Sequence, residues 1–238
     1  MSKWKEVWNR HSADANILEK GTEEEIFMEL KRAIGNDAVG DGMSYANLLA
    51  EYSSLKDTLF KEFDSKSNLS AYEVGCGSGA NLLLFEKDGF SVGGCDYSQS
   101  LIDNARKVLK CDDLVCAEAI DLSVEKQYDT VFAMRVFSYF ENCDYAYDVL
   151  LKMCEKSNYS VGLIDVHDKE KEEDFLAFRR AKVENYDEYY KGLDKLFYSK
   201  EFFVEFAKKN NMRLKIEKQD TKGYWNNDYG FNVFMYHK

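Results

Sequence analysis

The sequence predicts an α/β fold. A mostly parallel, seven-stranded sheet ends in an antiparallel hairpin, with helices at its N-terminus and a helical insert after the fifth strand. Three observations carry this prediction. Between residues 69 and 166 short apolar runs alternate with helical stretches, the order that covers both faces of a parallel sheet. Near the end two such runs follow each other across a short loop, and strands joined so closely must pair antiparallel. With 238 residues, 45% hydrophobic and 15% aromatic, the chain suits one such domain with additions and is too apolar for disorder.

The first 65 residues read as helical, so residues 1–65 form an N-terminal helical cap and residues 66–238 the main domain. Thr22 and Glu25 make a capping box ahead of Ile26, Phe27 and Leu30, and Gly35 can end that helix. A glycine-rich break at 35–42 precedes a second helical stretch at 44–62. Residues 69–75 then read as the first strand, and a helix opens in the following glycine-rich turn and closes at Gly89. Residues 90–96, 113–118, 128–136 and 159–166 supply four more strands, with helices at 98–110 and 143–156 between them. A charged helical insert occupies about 168–198, and a helix at 199–210 leads to the closing strands, 212–220 and 229–237.

The chemistry concentrates at Glu-Val-Gly-Cys-Gly-Ser-Gly, residues 73–79, where the first strand meets its helix. Gly75, Gly77 and Gly79 let the backbone turn tightly and bring a ligand against main-chain amides, with a helix N-terminus facing the same space. Because Ala80 follows, the segment also satisfies the G-x-G-x-x-G/A dinucleotide fingerprint, and Asp96 ends the second strand where a carboxylate accepts ribose hydroxyls. Two features separate the nucleotides. Glu73 would repel a pyrophosphate but suits an amino group, which S-adenosylmethionine (SAM) carries without any phosphate. The terminal hairpin is likewise unneeded in a dinucleotide domain. An NAD(P)-dependent oxidoreductase and a non-catalytic SAM-binding module are the alternative readings.

These residues resemble the motifs of class I SAM-dependent methyltransferases, over about residues 69–166 and more weakly in the hairpin. The resemblance implies a Rossmann-like sheet with SAM as cofactor. It assigns the methionine end to Glu73, Gly75, Cys76, Gly77 and Gly79, the ribose to Asp96, and adenine packing to Tyr97. Residues 116–122 resemble the third motif, which points to Glu118 for the adenine amino group, Ala119 for a backbone contact, and Asp121 as a rival acid. Met134 and Arg135 would emerge at the C-terminal end of the fourth strand.

In open α/β sheets the ligand crevice lies beyond the carboxyl ends of the strands. That surrounds the reacting centre with the N-terminal helices and residues 135–140 and 165–169. Methyl transfer needs alignment and exclusion of water, and an alcohol acceptor also needs a base. Of the three histidines, His237 reads as surface, and His11 lies in a segment able to fold over the site as a lid. His167 is best placed, with Asp165 two residues earlier on the same strand face to orient it. Asp165, His167 and Asp168 offer metal ligands, but no partner from another strand is evident and no metal is assigned.

Arg135, Tyr139, Tyr224 and Asn226 are the candidate acceptor contacts, combining stacking faces with amides in a way that suits a sugar ring. The pattern from Trp4 to Asn9, together with that from Tyr224 to Val233, resembles small bacterial methyltransferases of surface-polysaccharide and nucleotide-sugar pathways. If the acceptor is a nucleotide-sugar, Arg179, Arg180 and Lys182 would meet its phosphates; an exposed helix face is the alternative.

Composition excludes several classes. There is no proline, where average usage would give about 12. The Asn-Pro-Pro-Tyr loop of adenine and amide N-methyltransferases, the Pro-Cys nucleophile of cytosine-5 methyltransferases and the Pro-Cys-x-x-Cys zinc half of nucleobase deaminases are therefore impossible. A net charge of −11, with 7 scattered arginines, disfavours a nucleic-acid partner. Six dispersed cysteines and the polar start MSKWKEVWNRH point to a reduced, cytoplasmic protein, and no apolar run is long enough for a membrane span. The expected partner is a small-molecule acceptor, and the expected state a monomer or homodimer.

Overall fold

The computed structural model describes residues 3–36, 42–64 and 68–238. Four helices come first: α1 (Lys3–Trp8), α2 (Ala15–Lys20), α3 (Glu23–Ala33) and α4 (Tyr45–Leu59). The capping box forms as its spacing predicts, with Thr22 N–H donating to Glu25 at 2.7 Å and Glu25 N–H to Thr22 Oγ1 at 3.3 Å. Most of the glycine-rich break (37–41) lies outside the described residues, and so does the expected boundary at 65/66.

The alternation follows: β1 (Ser70–Val74), α5 (Ala80–Lys87), β2 (Ser91–Asp96), α6 (Gln99–Val108), β3 (Leu114–Cys116), β4 (Tyr128–Met134), α7 (Cys143–Lys156) and β5 (Ser157–His167). The insert holds α8 (Glu172–Lys182) and α9 (Tyr186–Tyr189), and the chain ends with α10 (Lys200–Lys209), β6 (Arg213–Lys218) and β7 (Gly230–Tyr236). All seven strands make one sheet in the order β3-β2-β1-β4-β5-β7-β6. The first five are parallel, and β7 runs antiparallel to both β5 and β6, inserted between them.

Strand alternation divides the core. Ala71, Phe132, Met134 and Ile164 face one side, where Phe27, Leu30, Leu48 and Leu59 of the N-terminal helices join Leu82 and Phe85 of α5. Tyr72, Val74, Val131 and Ala133 face the other side, against Val149 and Leu150 of α7 and Phe203 and Phe206 of α10. Only a 3-10 turn, Ala119–Asp121, links β3 towards β4. The second face near the β3 edge is consequently an open groove of about 780 Å³ lined by Tyr72, Cys95, Val115, Leu122 and Lys156. Lys156 closes its floor by donating to the Ser123 and Lys126 carbonyls, both at 2.8 Å.

The strands β4 and β5 end irregularly. Arg135, just past β4, and Asp165, near the end of β5, both have φ of 60°, uncommon for residues with a side chain. Leu163 and Val166 are three residues apart yet face the same core, so β5 carries an extra residue at a bulge. No helix among the described residues is long and apolar enough to cross a membrane.

Candidate active site

The turn after β1 holds Gly75, Gly77 and Gly79 at φ of 72°, 52° and 81°, a region that glycine enters without strain. Its missing side chains also let neighbours in: a Cβ on Gly75 would stand 2.4 Å from Val136, and one on Gly77 2.6 Å from Ile34. Four amides of the turn are engaged within the fold. Gly75 and Cys76 donate to the Cys95 carbonyl at 2.8 and 3.0 Å, Gly79 to the Cys76 carbonyl at 2.9 Å, and Gly77 to Asp96 Oδ2 at 2.9 Å. A pyrophosphate site needs such amides for phosphate oxygens. Cys76 contributes main chain, since its thiol is buried in the core and burial pushes its pKa well up.

Asp96 Oδ1 accepts from Ser98 N–H at 2.8 Å. Each carboxylate oxygen thus retains capacity for a hydroxyl donor. Burial raises its pKa, and the Ser98 and Gly77 amides pull it back. Glu73 is 1% exposed. Its Oε1 accepts from Asn81 Nδ2 at 2.6 Å, while its buried Oε2 has no partner. Asn81 Oδ1 in turn accepts from the buried Lys31 Nζ at 2.6 Å, and Met134 Sδ lies 3.5 Å from Asn81 Nδ2. Burial pushes Glu73 up to about 8 and Lys31 down to about 8. An open carboxylate oxygen beside a buried ammonium complements the two charges of an α-amino acid. The residues present fit the methionine end of SAM.

Residues 72–158 match the family model described as a methyltransferase domain. Over these residues the chain is similar to a methyltransferase domain. Solved structures share its fold across nearly the whole chain. The magnesium protoporphyrin IX methyltransferase of Synechocystis PCC 6803, with bound SAM, is 13% identical at a TM-score of 0.59, covering 94% of each chain. The plantazolicin methyltransferase BpumL, in complex with S-adenosylhomocysteine (SAH), is 17% identical at 0.63, covering 99% of this chain and 97% of the other. CalS10, an amino pentose methyltransferase from Micromonospora echinaspora, is 11% identical at 0.61, covering 79% and 91%. No curated protein matches the sequence.

Just past β2, Tyr97 is half-buried beneath α1, with Lys5 Nζ 5.7 Å from its ring centroid. Lys5 also pairs with Glu118 at 2.6 Å, so this acid holds the N-terminal helix in the structure. Ala119 opens the 3-10 turn, whose Ile120 amide donates to Tyr145 Oη at 3.3 Å. The N-terminal segment packs on the start of α6 and on the insert. Ser98 and Ser100 hydroxyls donate to the carbonyls of Trp8 and His11 at 3.2 and 2.8 Å, and Trp4 Nε1 reaches the Asp194 carbonyl at 3.1 Å. Trp4 and Trp8 stand edge-on to Tyr139, centroids 4.8 and 5.7 Å away. His11 Nδ1 meets the Ala33 carbonyl at 3.0 Å, a structural contact.

Beyond β4 and β5 a polar cluster assembles. Asp165 accepts from Tyr224 Oη at 2.5 Å and from Asn226 Nδ2 at 2.7 Å, and lies 3.9 Å from Arg135 Nε. The Arg135 guanidinium sits 4.3 Å from the Tyr224 ring centroid and donates to Glu51 Oε1 at 2.5 Å. Arg135, Asp165, Tyr224 and Asn226 come together, while Tyr139 stands with α1 and Lys195.

The expected pairing of Asp165 with His167 does not form. The bulge breaks the period of two, Asp165 is satisfied by Tyr224 and Asn226, and His167 packs between Phe175 and Phe197 with Nδ1 unpartnered. Burial, helped by the charges of Lys195 and Arg179, holds His167 well below its usual pKa. Asp168 turns to Lys200 at 2.6 Å. Among the described residues, no three His, Cys, Asp or Glu side chains gather around a possible metal position. In the insert, Arg180 is exposed and pairs with Asp187 at 2.9 Å, whereas Arg179 is buried and donates to Tyr190 Oη at 2.8 Å.

Lys31, Asn81, Glu51 and Lys195 escape sequence reasoning. Two left a signal: Lys31 stands four residues after Phe27, and Glu51 three after Leu48, each on the apolar stripe of its helix.

Proposed function

We propose that this protein transfers a methyl group from SAM to a hydroxyl or amine of a small molecule, a sugar or sugar nucleotide being favoured. The observation that carries the reading is the open carboxylate oxygen of Glu73, buried beside Lys31 at the glycine turn. Glu73 would take the amino group, Lys31 the carboxylate and Asp96 the ribose hydroxyls. When bound, SAM supplies a methyl group already activated by its sulfonium. The protein's own work is then alignment, exclusion of water and removal of one proton.

Asp165 is the group we assign to that proton. It is 3% exposed, burial raises its proton affinity, and Tyr224 and Asn226 fix its two oxygens. The lid of α1, with Trp4 and Trp8 over Tyr139, keeps water from the same chamber. A sugar is supported by the Tyr224, Trp225 and Asn226 segment, whose rings and amides suit a hydroxylated ring, and by the shared fold of the amino pentose enzyme. The absence of proline and the net charge of −11 support a small acceptor over nucleic acid, and the composition supports a cytoplasmic setting.

The test is transfer of tritium from methyl-labelled SAM to a panel of hydroxylated and amino sugars. Asp165→Asn should lower turnover by about 10²-fold or more, the cost of losing a general base, whereas His167→Gln should stay within about tenfold of the parent. Asp96→Ala, which should not bind SAM, serves as the blank. Label entering only non-sugar acceptors would sink the sugar reading, and a larger loss in His167→Gln than in Asp165→Asn would move the proton to the histidine.

A further inference from the structure

Besides His167 Nδ1, three side chains near the end of the sheet leave buried polar atoms without hydrogen-bond partners: Gln219 Oε1, Arg135 Nε and Asn226 Oδ1. Gln219 is 0% exposed and Asn226 1%. An unpartnered buried polar atom costs stability, so such atoms are few and each calls for a ligand, a water or a functional reason. These three are not scattered. Gln219 Nε2 donates to Thr221 Oγ1 at 2.9 Å, Thr221 Oγ1 to Glu51 Oε1 at 3.2 Å, and Arg135 Nη2 to the same Glu51 oxygen at 2.5 Å. Arg135 then faces Asp165, which holds Asn226. One continuous chain of contacts, drawn from α4, the ends of β4 and β5 and the loop before β7, carries all three open atoms.

The loop is built to hold them. Asn227 fixes the Thr221 main chain from both sides, accepting its N–H at 2.9 Å and donating to its carbonyl at 2.8 Å. The amide orientation of Asn226 is set by its donation to Asp165, so its oxygen must point elsewhere. The cluster also adjoins the cofactor end, because Glu51 and Arg135 lie within electrostatic reach of Lys31, and Arg135 within reach of Glu73.

We propose that Gln219 Oε1, Asn226 Oδ1 and Arg135 Nε form the acceptor subsite for a neutral, hydroxyl-rich ring, a polyol or sugar. The proposal rests on the methyltransferase reading above and adds the residues that select the acceptor. Two open acceptors call for ligand donors, and one open donor calls for a ligand acceptor. Neighbouring hydroxyls supply both at once. Among the described residues, Arg135 is the one cation linked into this run of contacts, and two carboxylates already face it, so a phosphate or carboxylate would compete with Glu51 and Asp165. Lys195, whose charge also acts on Asp165, stands against the Trp4 and Tyr139 rings. An ammonium would meet the guanidinium at the position where an acceptor is needed. Gln219, Thr221 and Glu51 thereby become specificity-determining residues.

The experiment is saturation-transfer NMR on the full chain in the presence of SAH, with myo-inositol and methyl α-D-glucopyranoside as neutral probes and methyl phosphate and methylammonium as charged ones. The expected result is transfer to a neutral probe, weakened roughly five- to tenfold in Gln219→Met, the share of one neutral hydrogen bond. SAH in the same tube should bind both proteins equally. Gln219→Met keeps the size but also gives up the bond to Thr221, and Asn226→Leu that to Asp165, so the folded state of each is checked by circular dichroism, and a loss common to both reads the open oxygens. Stronger transfer to a charged probe, undiminished transfer to the polyol in both variants, or no transfer to any polyol (open atoms met by water alone) would each overturn the subsite. Failure of SAH to bind the parent protein would instead overturn the cofactor reading beneath it.

Discussion

Glu73 and Lys31 are ionisable groups that the fold removes from water and joins through Asn81, and their proton affinities report on what binds between them. Burial raises the proton affinity of Glu73 in the free protein, against the pull of Asn81 and Lys31. A ligand ammonium facing Glu73 favours the carboxylate, so binding must expel a proton. SAH, which keeps the amino-acid end of SAM without a transferable methyl group, should therefore release a large fraction of a proton at pH 7. Calorimetry in buffers of different ionisation enthalpy measures that number directly. The sign follows from linkage: the free protein holds this proton more tightly than the complex, so affinity should fall as pH drops through the raised titration of Glu73, by up to about tenfold per pH unit. Glu73→Gln should abolish the release and weaken SAH about 10- to 100-fold, the range for a charged hydrogen bond. Net proton uptake at pH 7 would be incompatible with this arrangement. Glu73 and Asp96 are legible in sequence because both stand at strand ends beside a glycine turn. Lys31 and Glu51 are hidden by their positions on apolar helix stripes, where periodicity leads one to expect core. The role of Asp165 in orienting His167 was misread because a bulge, which leaves no local mark in the sequence, resets the side-chain alternation.

At the scale of elements, α1 is the least self-sufficient part of the molecule. It has six residues and no buried side chain, and a helix so short is marginal alone. What holds it is the site itself: Lys5 on Glu118, Trp8 and the following residues on Ser98 and Ser100, and both tryptophans on Tyr139. Such an element opens locally at little cost to the rest of the fold. Trp4→Ala with Trp8→Ala should accelerate SAH dissociation roughly 5- to 100-fold, from two aromatic contacts of about 0.5–1.5 kcal/mol each, while leaving the melting temperature nearly unchanged. Displacement of tritiated SAM gives the rate, and an unaltered rate would deny α1 its role as a lid. The other elements were easier to foresee, because each strand is a compact apolar run closed by a turn. Their pairing order was not. Nothing local says that β7 lies between β5 and β6, yet a physical hint exists: β7 is mostly buried, and β6 is charged and half-exposed, as an edge strand should be.

The whole molecule raises the question of whether the N-terminal helices form a unit of their own. A change of rhythm near residue 65 suggests a cap followed by a domain, but the packing joins them. Leu59, at the end of α4, is fully buried, and its Cδ2 would stand 2.6 Å from a Cβ on Gly162 of β5. Ser160 Oγ and Tyr236 Oη add hydrogen bonds to the Leu59 and Thr58 carbonyls at 2.7 and 2.8 Å. The glycine lets α4 lie directly on the middle of the sheet, and the helix then brings Glu51 to Arg135. Leu59→Ala should consequently destabilise the entire protein by about 2–5 kcal/mol, the cost of a buried leucine and the cavity it leaves. At this chain length that corresponds to a fall in melting temperature of roughly 5–15 °C. Because sheet and cap share one core, far-UV circular dichroism and aromatic fluorescence should report one coincident transition in parent and variant alike. If helical signal were lost first while the sheet persisted, the cap would be an independently folding domain, and the path from Leu59 through α4 to the acceptor site would not be a rigid one.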